Sequence, residues 1–122
     1  KGCDENIHDV IKLGNWTPTG TFGLKGNHDW LAKKMAKNSI SIKHKNTISA
    51  SSSWNMSGSY NIENALAAIA AANSIGITPA SSLESLASYK GVKRRLEKLV
   101  TISNITIYDD FAHHPTSIKK TI

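Results

Sequence analysis

Asp109 and Asp110 stand close to His113 and His114 in the stretch Tyr108-Asp109-Asp110-Phe111-Ala112-His113-His114-Pro115-Thr116. Carboxylates and imidazoles together can ligate a metal, move protons or hold hydroxyl groups. Adjacent residues on an extended segment point to opposite sides, so neither pair is shaped to chelate one ion. The i,i+4 histidine spacing of helical zinc sites is absent. No Cys or Ser shares the motif to act as a nucleophile. Two readings of the acids remain. One is an acceptor for ribose hydroxyls, as acids at strand ends are in dinucleotide folds. The other is helix capping by Asp110 or His114.

Two further constellations can bind rather than react. Asn61 and Asn64 lie three residues apart at a helix start, so both can face one side. A carboxamide offers a donor and an acceptor together, which suits the edge of an adenine ring. Capping of the helix is the simpler alternative. Arg94 and Arg95 follow a glycine in Gly91-Val92-Lys93-Arg94-Arg95-Leu96-Glu97. Their guanidinium forks match phosphate oxygens, and a solvated charged turn with Glu97 as a local partner is the alternative. No Gly-x-x-x-x-Gly-Lys-Ser/Thr loop occurs, so nothing in the sequence can wrap a triphosphate in that backbone cradle.

These residues need elements to hold them. Ile105 to Asp109 alternates apolar and polar side chains and reads as a strand, and Pro115 suits the first turn of the helix that follows. Asn61 to Ile75 reads as a helix, with Ile62, Leu66, Ile69 and Ala70 inward, Asn61 as N-cap and Gly76 just past its end. Thr78-Pro79 opens a second helix running to about Tyr89, with Leu83, Leu86 and Tyr89 inward. Residues 20–57 read as a small antiparallel meander: Thr21 to Leu24, Trp30 to Ala36, Ile40 to Lys43, a turn at Lys45-Asn46, then a polar edge strand or linker at Ser51-Ser52-Ser53. Residues 1–19 are irregular, with a short helix or turn around Ile7 to Leu13.

The chain has 122 residues and a net charge of +6, from 15 Lys and Arg against 9 Asp and Glu. That is enough chain for one small core, and enough charge to attract an anion such as nucleic acid or a phosphorylated small molecule. A basic nucleic-acid-binding module is therefore a reading of another class, though no aromatics interleave with Lys93-Arg94-Arg95 for stacking. The single Cys3 excludes an internal disulfide and fits a reducing cytoplasm. No apolar run is long enough for a transmembrane helix. The last helix is only two turns long by Ile122, and the sequence reads as cut from something larger.

Taken in order, the Asn-x-x-Asn helix start, Gly-Val-Lys-Arg-Arg-Leu-Glu and Asp-Asp-Phe-Ala-His-His-Pro-Thr resemble the ATP-dependent Mur ligases of peptidoglycan synthesis, over roughly residues 20–122. Leu96-Glu97 and Ser117 lean toward the branch that recycles murein peptides rather than the branch that adds L-alanine. The resemblance implies an α/β fold. Residues 1–103 would form the second half of a central ATP-binding domain, and 104–122 the first strand and helix of a dinucleotide-fold C-terminal domain, with a hinge near Ser103-Asn104. It implies Asn61 and Asn64 on adenine, Arg95 on phosphate and Asp110 on ribose, with Arg94 and His113 in the same motifs. It implies ATP and Mg2+ as cofactors, UDP-N-acetylmuramate and a murein peptide as partners, and neither nucleic acid nor membrane. The phosphate loop, the magnesium-holding acid and a modified lysine would lie upstream of Lys1, so these residues alone would be inactive. One departure stands out: the family pattern Gly-x-His-Asn reads Gly58-Ser59-Tyr60-Asn61 here.

Overall fold

The computed structural model describes residues 1–35 and 38–122. The chain divides into two compact units, Lys1–Tyr89 and Lys90–Ile122.

The first unit contains α1 (Glu5–Leu13), β1 (Phe22–Gly23), β2 (Trp30–Met35), β3 (Ser39–His44), β4 (Thr47–Ser53), α2 (Ser59–Ser74) and α3 (Pro79–Ala87). Its sheet runs β1-β2-β3-β4. The last three strands form the expected antiparallel meander, but β1 pairs with β2 in parallel, so the sheet is mixed. The cause is local. Asp29 accepts both the N–H and the hydroxyl of Thr21 at 2.8 Å, and its own N–H returns to the Thr21 hydroxyl at 3.1 Å. Gly26 bends the intervening loop at φ +90°. These bonds bring Phe22 alongside Trp30 with the two segments running the same way. The expected strand end at Ala36 lies outside the described residues.

Lys45 and Asn46, at φ +48° and +66°, form the two-residue turn between β3 and β4, as expected. Ser51-Ser52-Ser53 belongs to the edge strand rather than to a linker. The period of two puts Trp30 and Ala32 of β2, and Ile40 and Ile42 of β3, into the core. There they meet Ile62, Ala65, Leu66 and Ile69 of α2, Leu83 of α3 and Trp54. The i, i+4, i+7 spacing of Ile62, Leu66 and Ile69 is what anchors α2.

α2 begins two residues earlier than expected. Gly58, at φ +83°, is the N-cap, and Asn61 is the third helical residue. Its end follows the expected glycine pattern: Gly76 at φ +93° donates to Asn73 O, and Ile77 donates to Ala72 O. Thr78 caps α3 by accepting the Ser81 N–H, with Pro79 at N1. α3 stops at Ala87, short of Tyr89, which is exposed. The Ser85 and Ser88 hydroxyls bond back to carbonyls of their own helix, and the last turn tightens to Tyr89 N–H on Leu86 O. α1 is amphipathic yet buries no residue. Among the described residues no helix is long and apolar enough to cross a membrane.

The second unit contains β5 (Glu97–Ile102), β6 (Ile105–Asp109) and α4 (Pro115–Thr121). β5 and β6 pair antiparallel. Ser103 and Asn104, at φ +48° and +66°, are the two-residue turn between them. β5 is absent from the sequence reading. Its apolar residues Leu99, Val100 and Ile102 do not alternate cleanly, and a bulge between Lys98 and Val100 breaks the period. β6 and the proline-started α4 lie where the sequence places them.

Candidate functional site

The candidate residues fall on both units. Asn61 and Asn64 lie on the first turns of α2, which is fixed in the core by Ile62, Ala65 and Leu66. Asn61 does not cap the helix. Its Nδ2 donates to the Ser57 carbonyl at 2.7 Å. A carbonyl only accepts, so this bond sets which way the carboxamide faces. One N–H and the side-chain oxygen of Asn61 remain available. Asn64 is exposed. Between the two, Glu63 holds Lys1 Nζ at 3.0 Å, and that contact pushes the Lys1 amine above its ordinary value.

Tyr60 is half-buried, and its ring lies against Gly58. A Cβ on Gly58 would come 2.5 Å from the ring carbon Cε1. The positive φ and the close ring together require glycine.

Arg94, Arg95, Asp110 and His113 come together in the second unit. Arg94 sits at φ +59°; its N–H donates to Glu97 Oε2 at 2.8 Å and its carbonyl accepts the Phe111 N–H at 2.8 Å. Its Nε lies 3.3 Å from Asp109 Oδ2, and its guanidinium lies over the Phe111 ring, 5.0 Å from the centroid. Arg95 is exposed, and no partner holds its side chain among the described residues. Asp110 Oδ2 accepts the Leu96 N–H at 2.9 Å, and Oδ1 accepts the Ala112 N–H at 2.7 Å. Each carboxylate oxygen keeps a second lone pair.

The two histidines take opposite tautomeric roles. His113 Nδ1 donates to the Phe111 carbonyl at 3.0 Å, whereas His114 Nδ1 accepts the Thr116 N–H at 3.3 Å and caps α4. The capping alternative thus describes His114, while Asp110 ties two turns instead of capping a helix. Glu97 does serve as a local partner of Arg94, but through the backbone N–H. The sequence weighs Asp109 beside Asp110 but assigns it no role, and Phe111 is absent from the sequence-based site. The signal for Phe111 was an aromatic ring set between acids and histidines, two residues beyond the first acid. Among the described residues no group of three or more His, Cys, Asp or Glu is placed to hold a metal.

No protein-family model matches the chain. It is 33% identical, over 98% of its length, to the UDP-N-acetylmuramate–L-alanyl-gamma-D-glutamyl-meso-2,6-diaminoheptandioate ligase of Haemophilus influenzae, and covers 26% of that protein. The enzyme of the same name from Escherichia coli is 34% identical over the same shares. Among solved structures, the murein peptide ligase of Psychrobacter arcticus superposes with a TM-score of 0.73 at 33% identity, over 98% of this chain and 26% of that one. The chain therefore spans about a quarter of the length of the relatives it matches. In sequence and in fold residues 1–122 correspond to one part of these enzymes, and the chain belongs to the Mur ligase family.

Proposed function

We propose that this chain supplies the adenine, ribose and phosphate contacts of an ATP-dependent amide-bond ligase acting in the cytoplasm. The ligase would join L-alanyl-γ-D-glutamyl-meso-diaminopimelate to UDP-N-acetylmuramate. The observation that carries this is the match of nearly the whole chain to ligases of that name, with Asn61 and Asp110 held in bonds that leave part of their capacity free. Asn61 offers one N–H and one oxygen to an adenine edge. Asp110 offers its spare lone pairs to ribose hydroxyls, and Arg95 its free fork to phosphate. Arg94 and His113 complete the set from the same two turns.

The donor set suits a nucleotide. Mg2+, which would neutralise charge on the phosphates, belongs with ligands from other segments. The muramate carboxylate would take the terminal phosphoryl group, and the peptide amine would then displace phosphate and lose a proton. The residues here bind and orient the nucleotide for that transfer.

We also place the border between a central and a C-terminal domain at 103/104, inside the β5–β6 turn, so that the two strands of one hairpin fall on either side of it. Residues 1–122 alone would be inactive.

The test is phosphate release and amide formation by the complete protein containing this chain, given ATP, UDP-N-acetylmuramate and either the tripeptide or L-alanine. Tripeptide-dependent turnover is the expected result. L-alanine-dependent turnover would favour the L-alanine ligase; the chain is 35% identical to the enzyme of that name from Caldicellulosiruptor bescii. No ATP-dependent ligation with either would remove the reading.

A further inference from the structure

Arg95 is bracketed by two residues in left-handed backbone, Arg94 at φ +59° and Leu96 at φ +50°. Residues with a bulky side chain rarely take such angles, and strained backbone persists only where its surroundings over-determine it. Here they do. Glu97 accepts the Arg94 N–H, Asp110 accepts the Leu96 N–H, and the Arg94 carbonyl accepts the Phe111 N–H. The Arg94 side chain is turned back into the same turn, against Asp109 and over the Phe111 ring. Asp109 and Asp110 are adjacent at the end of β6, where neighbours diverge. One acid therefore fixes the residue before Arg95, and the other fixes the residue after it. Arg94 uses its Nε and its flat face inside the turn, while the Arg95 guanidinium is left exposed.

We propose that Asp109, Phe111 and the Arg94 side chain form a clamp that sets the direction of Arg95, so that Arg94 is a positioning residue and Arg95 the phosphate contact. The proposal rests on the reading that this chain carries part of an ATP site. The clamp fixes the backbone before Arg95, and Asp110 fixes it after, so the turn is set before nucleotide arrives, which lowers the ordering cost of binding. It also gives the first acid of the Asp109-Asp110 pair a role distinct from that of the second.

The test is a double-mutant cycle on the KM for ATP in the complete protein, with kcat and the KM for the peptide measured alongside. Arg95→Ala should raise the KM for ATP about tenfold, and Asp109→Asn about threefold, the sizes expected for a lost charged contact and for a half-exposed ion pair. In the Arg95→Ala background Asp109→Asn should add nothing, because the clamp then has no contact residue to aim. The peptide KM should stay where it was in every variant. Phe111→Leu keeps the bulk but removes the ring face, and should follow the same pattern if Asp109→Asn fails to fold.

A second rise of undiminished size in the Arg95→Ala background overturns the clamp and leaves the ATP reading standing. So does an equal movement of the peptide KM. If Arg95→Ala is silent while Asn61→Ala and Asp110→Ala raise the KM for ATP, the clamp falls alone. If all three are silent, the ATP reading falls and takes the clamp with it.

Discussion

Replacing Asp110 with alanine should release the turn that carries Arg95 while leaving the hairpin paired. The carboxylate accepts two backbone N–H groups, from Leu96 at 2.9 Å and Ala112 at 2.7 Å. Hydrogen bonds to charged acceptors contribute roughly 1.5–3 kcal/mol each when buried. Asp110 is half-buried, so solvent screening brings each to about 1 kcal/mol. Leu96 is already strained at φ +50° in the native turn. That strain is the same before and after substitution, so it favours opening but adds nothing to the difference. The loss is then about 2 kcal/mol, or roughly 30-fold in the local opening equilibrium.

Amide hydrogen exchange reads this directly. The Leu96 and Ala112 amides should exchange about 30-fold faster in Asp110→Ala, while ladder amides of β5 and β6 keep their rates. Asp110→Asn retains one neutral acceptor and should fall between the two. Unchanged exchange at Leu96 would refute the reasoning. Equal acceleration along the whole hairpin would do so as well, because it would mean that Asp110 holds the unit together rather than the turn.

Gly58→Ala should destabilise the start of α2, because it adds both backbone strain and overlap with the Tyr60 ring, together about 2 kcal/mol. Adding Tyr60→Ala should recover only the overlap, and full recovery in urea unfolding would show that φ carries no strain. Thr21 donates twice to Asp29 and holds its carboxyl below the ordinary value of 3.8. A depressed native pKa stabilises above the unfolded value, and that stability is lost as pH falls through the native value. Stability should therefore drop on acidification from just above 3.8, and Asp29→Asn should show a shallower drop over that window. Ile7, Val10, Ile11 and Leu13 of α1 are all exposed, as are Leu99, Ile102 and Ile105 of the hairpin. The 122-residue chain should self-associate through such apolar surface, and Val10→Glu should reduce it; a strictly monomeric sedimentation profile at high concentration would count against this.

What the sequence disclosed follows from where local physics decides the outcome. Lys45-Asn46, Gly76 and Thr78-Pro79 fix backbone angles by themselves, and each sits where its chemistry places it. The inward stripe of α2 was legible because one core imposes one period. Asn61 was misplaced as a cap because a capping signal is only a side chain that can accept an N–H. Here the same side chain donates backward to Ser57, and Gly58 takes the cap. The parallel pairing of β1 was hidden because it depends on Thr21 meeting Asp29 across a loop, which no periodicity records. β5 was hidden by its bulge. In the site, the residue types were readable and the bonds that hold them were not. Residue chemistry leaves the adjacent arginines equivalent; the resemblance singled out Arg95, and the structure adds Asp109 and Phe111 against Arg94.

The same principle distinguishes three of the site residues. Asn61 is anchored through one of its two N–H groups, and Asp110 through one lone pair on each oxygen. In each case the fold consumes part of the hydrogen-bonding capacity and leaves the rest in a fixed direction. An anchored carboxamide presents one donor and one acceptor side by side, which is the pattern an adenine edge requires. A free carboxamide would have to be ordered on binding, at a cost in rotamer freedom. Arg95 is anchored differently. Its side chain has no partner, but its backbone is held on both sides by residues that other side chains keep in strained angles. A long cation gains more from a fixed base than from a fixed tip, because its phosphate partner orders the tip itself. Asn61 and Asp110 are held by their own atoms and the long Arg95 by its neighbours, so each of the three is ordered at the point where freedom would cost most.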